Sequence, residues 1–213
     1  MNRETGGLLN FLKPSGMTSH DAVSFLRRLT GVKRIGHMGT LDPMAAGVLP
    51  LCIGRATRIA EYLVFDTKEY RCEMRLGLKT DTLDIWGTTV WEAEPCHLLH
   101  LDEARIREQA NVFTGEQMQT PPAYSAIKIS GKKLYEYARE GQPVQVPARK
   151  IDIKSITVYE VDLEERRLVF DVVCSKGTYI RSLCHDMGEA LGCGAVMSHL
   201  IRTRSGCFQI SDA

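Results

Sequence analysis

Apolar positions fall into short blocks whose spacing changes along the chain. Residues 8–12, Leu-Leu-Asn-Phe-Leu, predict a short buried strand, closed by a turn at Lys13-Pro14-Ser15-Gly16. Ala22, Val23, Leu26 and Leu29 then recur at helical spacing, with Thr18 or Ser19 as the cap and Gly31 as the stop. Val48 to Ile53 predicts a strand and Ala56 to Leu63 a short helix. Tyr70 to Leu76 alternates like a strand, with Gly87 to Trp91 as its partner across the polar Thr80-Asp81-Thr82-Leu83-Asp84 segment. Residues 102–112 read as an acidic helix, Thr120-Pro121-Pro122 as a break, and Lys132 to Glu140 as a short amphipathic helix ended by Gly141. Residues 150–161 and 167–175 predict two strands around a turn at 163–166. Gly177-Thr178 opens a helix running to about Leu191, and segments near 195–204 and 206–210 complete the set as strands. Strands and helices mix without strict βαβ alternation, so the fold class is α+β. No repeat, low-complexity stretch or linker divides residues 1–213, so a single domain is expected.

Composition narrows the class. A chain of 213 residues buries about 70% of its unfolded surface, and 44% hydrophobic with 25% charged residues is ordinary for a globular protein. Apolar stretches fall far short of a membrane span, and residues 1–7 lack a signal-peptide layout, so a cytoplasmic location is expected. Seven cysteines without a Cys-x-x-Cys read as reduced thiols. Cys96-His97-x-x-His100 lacks a second ligand pair, so no metal site is expected.

The formal net charge of +1 does not announce a nucleic-acid partner. Local basic groups do stand out: Arg27, Arg28, Lys33 and Arg34; then Lys128, Lys132 and Lys133; then Arg149 and Lys150. Such groups are either solvated faces or patches that converge on a polyanion such as RNA.

Candidate chemistry centres on residues 36–50, where Asp42 is the one carboxylate. Gly36, Gly39 and Pro43 shape the backbone around it, which suits a carboxylate held on a rigid loop. His37 precedes it, but no serine or cysteine is evidently placed to complete a triad. A second constellation is Ser175-Lys176-Gly177-Thr178-Tyr179-Ile180-Arg181. Arg181 would stand in the first turn of a helix, where a cation opposes the helix dipole, which hints at an acidic partner elsewhere. Asp42 is one candidate for that partner. Tyr70 reads either as a core aromatic of its strand or as a platform for a planar base. Gly-rich phosphate loops are missing from the sequence, so no nucleotide cofactor is expected.

These segments together resemble the bacterial tRNA pseudouridine synthases that modify the T-loop uridine, position 55 of tRNA. The resemblance runs through Gly7-Leu8-Leu9 and Lys13-Pro14-Ser15-Gly16-Met17-Thr18-Ser19, Gly36-His37-Met38-Gly39-Thr40-Leu41-Asp42-Pro43 and Gly47-Val48-Leu49-Pro50. It continues through Tyr70-Arg71, Thr80-Asp81-Thr82-x-Asp84, Thr120-Pro121-Pro122-x-Tyr124-Ser125-Ala126-x-Lys128 and Ser175 to Arg181. It implies a mixed, largely antiparallel sheet flanked by helices, with an active cleft across it.

The resemblance also implies roles. Asp42 matches the catalytic aspartate, Tyr70 the tyrosine stacked on the target base, and Arg181 the arginine paired with the acid. His37 matches a histidine that holds the flipped RNA conformation, and Tyr179 and Leu200 match positions lining the uridine pocket. Residues 121–140, with Lys128, match an insertion that closes over RNA. The implied partner is the tRNA T-stem-loop, with no cofactor, metal, membrane, guide RNA or obligatory protein partner. The usual small C-terminal RNA-binding (PUA-type) domain is not expected within residues 1–213, and Met38 and His20 depart from the pattern. A related guide-RNA-dependent branch shares the His-x-Gly-Thr-Leu-Asp-Pro core but generally lacks the insertion. A non-catalytic RNA-binding module is the remaining alternative.

Overall fold

The computed structural model describes residues 6–58, 60, 66–129, 131–142 and 144–213, which form two compact units. The first comprises Met1–Arg71 and His199–Ala213, the second Cys72–Ser198. Among the described residues, thirteen strands and four α-helices confirm the α+β class, with mostly antiparallel pairing.

In the first unit, β1 (Gly7–Lys13) pairs antiparallel with β3 (Ala46–Ile53), as does the short β2 (Ile35–His37). Helix α1 (Ser19–Thr30) lies between β1 and β2 in sequence. Its start is written in Thr18-x-x-Asp21: the Thr18 hydroxyl accepts from the Asp21 N–H, and the Asp21 carboxylate accepts from the Thr18 N–H. Gly31, at φ 69°, ends it. Ala22, Val23 and Leu26 are buried as the spacing requires, but Leu29 is 69% exposed because the covered stripe ends one turn earlier.

β1 corrects a second expectation. Phe11 meets Phe25 of α1, whereas Leu8 and Leu12, on the opposite side of the strand, stay exposed, so β1 is buried on one face only.

The strand β4 (Thr67–Leu76) leaves this unit at Arg71 and continues into the second. There the sequence expectation fails in an informative way. Gly77, at φ 78°, breaks the strand, and the chain starts a separate hairpin of β5 (Leu78–Thr80) with β6 (Thr89–Glu92). The 87–91 segment therefore pairs with β5 rather than β4.

Helix α2 (Glu103–Val112) is capped by Asp102, whose carboxylate accepts from the Arg105 N–H. A polar strand unseen in the sequence, β7 (Gly115–Gln119), then pairs with β10 (Arg149–Asp162), which pairs in turn with β11 (Arg167–Ser175). The 132–140 segment is helical only as α3 (Leu134–Arg139). Its first residues instead form β9 (Lys132–Lys133), opposite β8 (Lys128–Ile129).

Helix α4 (Ile180–Ala190) follows β11, and β12 (Ala195–Ser205) carries the chain back into the first unit. There β12 runs parallel to β3, with Ile201 opposite Ala46 and Arg202 opposite Gly47, and takes up the short β13 (Phe208–Gln209). The expected helix at 56–63 is a 3-10 turn at Gly54–Arg58, and residues 59 and 61–65 lie outside the described residues.

Among the described residues, no helix is long and apolar enough to cross a membrane. Among the described residues, no cysteine is joined in a disulfide.

Candidate active site

Asp42 stands on the loop between β2 and β3, and that loop is held almost atom by atom. Five consecutive carbonyls, Thr40 to Met44, each accept a hydrogen bond. The Thr40 carbonyl accepts from Arg202 Nη1 at 3.2 Å, and the Leu41 carbonyl from the Ser19 hydroxyl at 2.9 Å. The Asp42 carbonyl takes the Ala45 N–H at 3.1 Å. The Pro43 carbonyl takes the Gly16 N–H at 2.9 Å and Lys13 Nζ at 3.3 Å, and the Met44 carbonyl takes the Ser15 hydroxyl at 2.7 Å. The Leu41 N–H closes the circuit by donating back to Ser19 Oγ at 2.9 Å. At about 1 kcal/mol net per bond, this set fixes the loop far more firmly than its own turn could.

Apart from Ala45, which belongs to the loop itself, the donors come from the end of β1, the turn after it, the start of α1 and β12. Lys13-Pro14-Ser15-Gly16 is therefore more than a turn: it is one wall of the Asp42 loop.

Lys13 is fully buried, and Nζ also donates to the carbonyls of Pro14 and Met17 at 2.9 and 2.6 Å. Burial lowers its pKa to about 8, with the charge of Asp42 opposing the fall and that of Arg202 adding to it. His37, the last residue of β2, is half-buried, and burial likewise lowers its pKa, which favours the neutral ring at neutral pH. Its Nδ1 is buried without a hydrogen-bond partner among the described residues. Tyr70 is 6% exposed on β4, and Leu200 is 6% exposed on β12. Asp42, His37, Tyr70 and Leu200 all belong to the first unit.

Arg181, Tyr179 and Lys128 belong to the second. Arg181 stands in the first turn of α4, as expected, and is 4% exposed. Its guanidinium donates to the carbonyls of Thr82 at 2.9 Å and Tyr124 at 3.0 Å, and Nη1 lies 3.7 Å from the Asp84 carboxylate. The acidic partner hinted at by the helix dipole is thus present in this unit as Asp84. Asp84 in turn accepts from the Thr82 hydroxyl at 2.8 Å and the Trp86 N–H at 3.1 Å. Asp42 is in the other unit, so its pairing with Arg181 rests on the resemblance.

Tyr179 is the N-cap residue of α4. Gln119 grips it from β7: the Tyr179 N–H donates to Oε1 at 2.8 Å, and Nε2 donates to the Tyr179 carbonyl at 3.0 Å. Lys128 is exposed on β8, opposite Lys133.

Asp84 and Gln119 hold Arg181 and Tyr179, and Ser19, Lys13 and Arg202 hold the Asp42 loop; the sequence alone assigns none of the five to these contacts. Asp84 had a signal in the Thr80-Asp81-Thr82-x-Asp84 motif. Arg202 had none, because a cation in a strand reads as a solvent-facing residue.

The basic groups divide between structure and surface. Arg27 donates to the Ile35 carbonyl at 3.0 Å, whereas Arg28, Lys33 and Arg34 are exposed. Lys132 is ion-paired with Glu140 and lies over the Tyr137 ring, and Lys133 and Arg139 lie over Tyr135. Lys150 pairs with Glu116 at 2.8 Å.

Comparison with known proteins adds a family. Residues 27–180 match the TruB family pseudouridylate synthase (N terminal domain), and residues 181–213 match the tRNA pseudouridylate synthase B C-terminal domain. The chain is 51% identical to tRNA pseudouridine synthase B of Alkaliphilus oremlandii, over 97% of this chain and 67% of the relative. It is 49% identical to the protein of the same name from Symbiobacterium thermophilum, over 99% of this chain and 70% of the relative. Among solved structures, a Cbf5-Nop10-Gar1 complex superposes with TM-score 0.73 at 34% identity, over 97% of this chain and 50% of that chain. An archaeal box H/ACA sRNP Nop10-Cbf5 complex gives 0.68 at 33%, over 95% and 49%. The chain thus spans about two thirds of these curated relatives and about half of the solved chains.

Proposed function

Since the chain belongs to the TruB family of pseudouridylate synthases, we propose that it isomerises the T-loop uridine of tRNA, position 55, to pseudouridine. The observation that carries this reading is the Asp42 loop. A carboxylate whose neighbouring carbonyls are all committed is preorganised for attack or for assisting a leaving group.

The reaction breaks the N1–C1′ bond of uridine and forms a C5–C1′ bond. C5 loses its proton to solvent and N1 gains one, so atoms balance with no redox step, cofactor or metal. Asp42 acts at the glycosidic bond. Tyr70 stacks on the target base, and Arg181, oriented by Asp84 and two carbonyls, serves as the cation of the site.

His37, Tyr179 and Leu200 hold the extruded uridine, and Lys128, on the 121–140 insertion, meets the RNA backbone. Extruding a base costs a few kcal/mol, which stacking and phosphate contacts offset. Burial lowers the His37 pKa, so in this reading a neutral ring packs against the RNA. In this reading residues 1–213 act as one catalytic domain in the cytoplasm. The tRNA T-stem-loop is the partner, with no guide RNA and no obligatory protein.

The test is to incubate purified protein with an unmodified tRNA transcript and map pseudouridine. Modification at the T-loop uridine from protein and transcript alone supports the proposal. Dependence on an added guide RNA would move the chain to the guide-dependent branch. Binding without product would leave only an RNA-binding module.

A further inference from the structure

The two ends of the Asp42 loop meet on one side chain. Arg202, from β12, is fully buried. Its Nε donates to the Val48 carbonyl at 2.7 Å and its Nη1 to the Thr40 carbonyl at 3.2 Å. These carbonyls lie on either side of Asp42 in sequence. The Arg202 backbone is pressed against the same loop: it pairs with Gly47, and a Cβ added at Gly47 would come within 2.3 Å of the Arg202 carbonyl oxygen.

The third nitrogen, Nη2, is buried with no hydrogen-bond partner among the described residues. A buried, incompletely satisfied guanidinium is a poor way to stabilise a core, since a well-packed apolar side chain usually serves as well or better. What an apolar residue cannot do is tie two carbonyls together at a fixed separation. Full burial also rules out a direct phosphate contact by this side chain.

We propose that Arg202 is a positioning residue that fixes the loop aiming Asp42 at the glycosidic bond, by tying Thr40 to Val48. It acts through the backbone and touches no substrate. The proposal rests on the reading of Asp42 as the catalytic carboxylate. It is separate from the grip of Lys13, which takes Pro43 from β1.

The experiment compares wild type with Arg202→Lys, Arg202→Met and, as a control on the same strand, Arg204→Met, whose parent side chain pairs with Glu69 instead. Single-turnover pseudouridine formation at saturating tRNA transcript is expressed per folded molecule, with transcript affinity measured separately. Because misplacement by about 1 Å can cost about 100-fold, Arg202→Met should lose about that in rate with affinity within about twofold. Arg202→Lys, which reaches one carbonyl at a time, should lose about tenfold, and Arg204→Met should stay within about twofold.

A simple stability role would lower the folded fraction and leave the rate per folded molecule unchanged. That result, or a loss confined to affinity, overturns the proposal. If Arg202→Met does not fold, Arg202→Lys decides by the same criteria. Amide exchange at Leu41 and Ala45 gives an answer independent of turnover. Protection should fall about tenfold in Arg202→Lys, and unchanged protection contradicts the tie even if the wild type proves inactive on tRNA.

Discussion

Replacing Asp84 with Asn keeps the side chain's shape and its carbonyl oxygen while removing the charge that faces Arg181. Both side chains are nearly out of water, at 11% and 5% exposure, with 3.7 Å between Asp84 Oδ2 and Arg181 Nη1. Asp84 Oδ1, which holds Thr82 and Trp86, survives the change. Removing one partner of a buried ion pair costs about 3–5 kcal/mol, because the other charge is left uncompensated. Arg181 keeps two carbonyls, at 2.9 and 3.0 Å, so the expected loss lies at the lower end, about 3 kcal/mol. Arg181→Met removes the guanidinium that faces position 84, so the double variant should be less destabilised than the sum of the singles, by about 2 kcal/mol. Urea unfolding followed by far-UV circular dichroism on the four proteins closes the cycle. A loss under about 1 kcal/mol for Asp84→Asn, or additivity within about 0.5 kcal/mol, would refute the claim that this pair holds Arg181 in place.

Two further outcomes follow from the Asp42 loop. Lys13 is lowered from 10.5 to about 8, so between those values the unfolded chain holds a proton that the folded chain has released. The Lys13 contribution to stability therefore rises with pH across that window, by roughly 3 kcal/mol over its full width. Urea midpoints from pH 7 to 10 should show this rise in wild type and lose it in Lys13→Met, and parallel profiles would contradict it. Gly47→Ala places a Cβ 2.3 Å from the Arg202 carbonyl oxygen at φ 110°. It should cost more than about 2 kcal/mol in thermal or urea unfolding, and a change under about 0.5 kcal/mol would show that the loop yields there.

Local signals in the sequence were legible where the structure is local. The α1 boundaries follow from a capping box and a left-handed glycine within a few residues of each other. The cation in the first turn of α4 pointed to an acidic partner, and Asp84 is one, though Arg181 and Asp84 are far apart in the chain.

What sequence could not show is long-range or disguised. Ser19 reaches Leu41 and Arg202 reaches Thr40 across large sequence separations, and nothing in a lone serine or a strand arginine announces a loop clamp. The β4 partner is not legible in the pattern because a single positive-φ glycine, Gly77, redirects the chain after an otherwise continuous strand pattern. β7 is hidden in the sequence because Gly115-Glu116-Gln117-Met118-Gln119 carries almost no apolar alternation; pairing with β10 holds it in place. Asp42 itself was marked by its glycines and proline, but the five committed carbonyls that make it rigid lie beyond pattern reading.

The proposed function puts glycosidic-bond chemistry on Asp42, acting at a flipped uridine. Its most direct test is tritium release from tRNA transcript carrying 5-tritiated uridine, in a single turnover with wild type and Asp42→Asn at matched RNA occupancy. Wild type should release tritium stoichiometric with the T-loop uridine as C5 joins the sugar. Asp42→Asn should bind the transcript and release none above background. Release by Asp42→Asn at a rate near wild type would contradict the account.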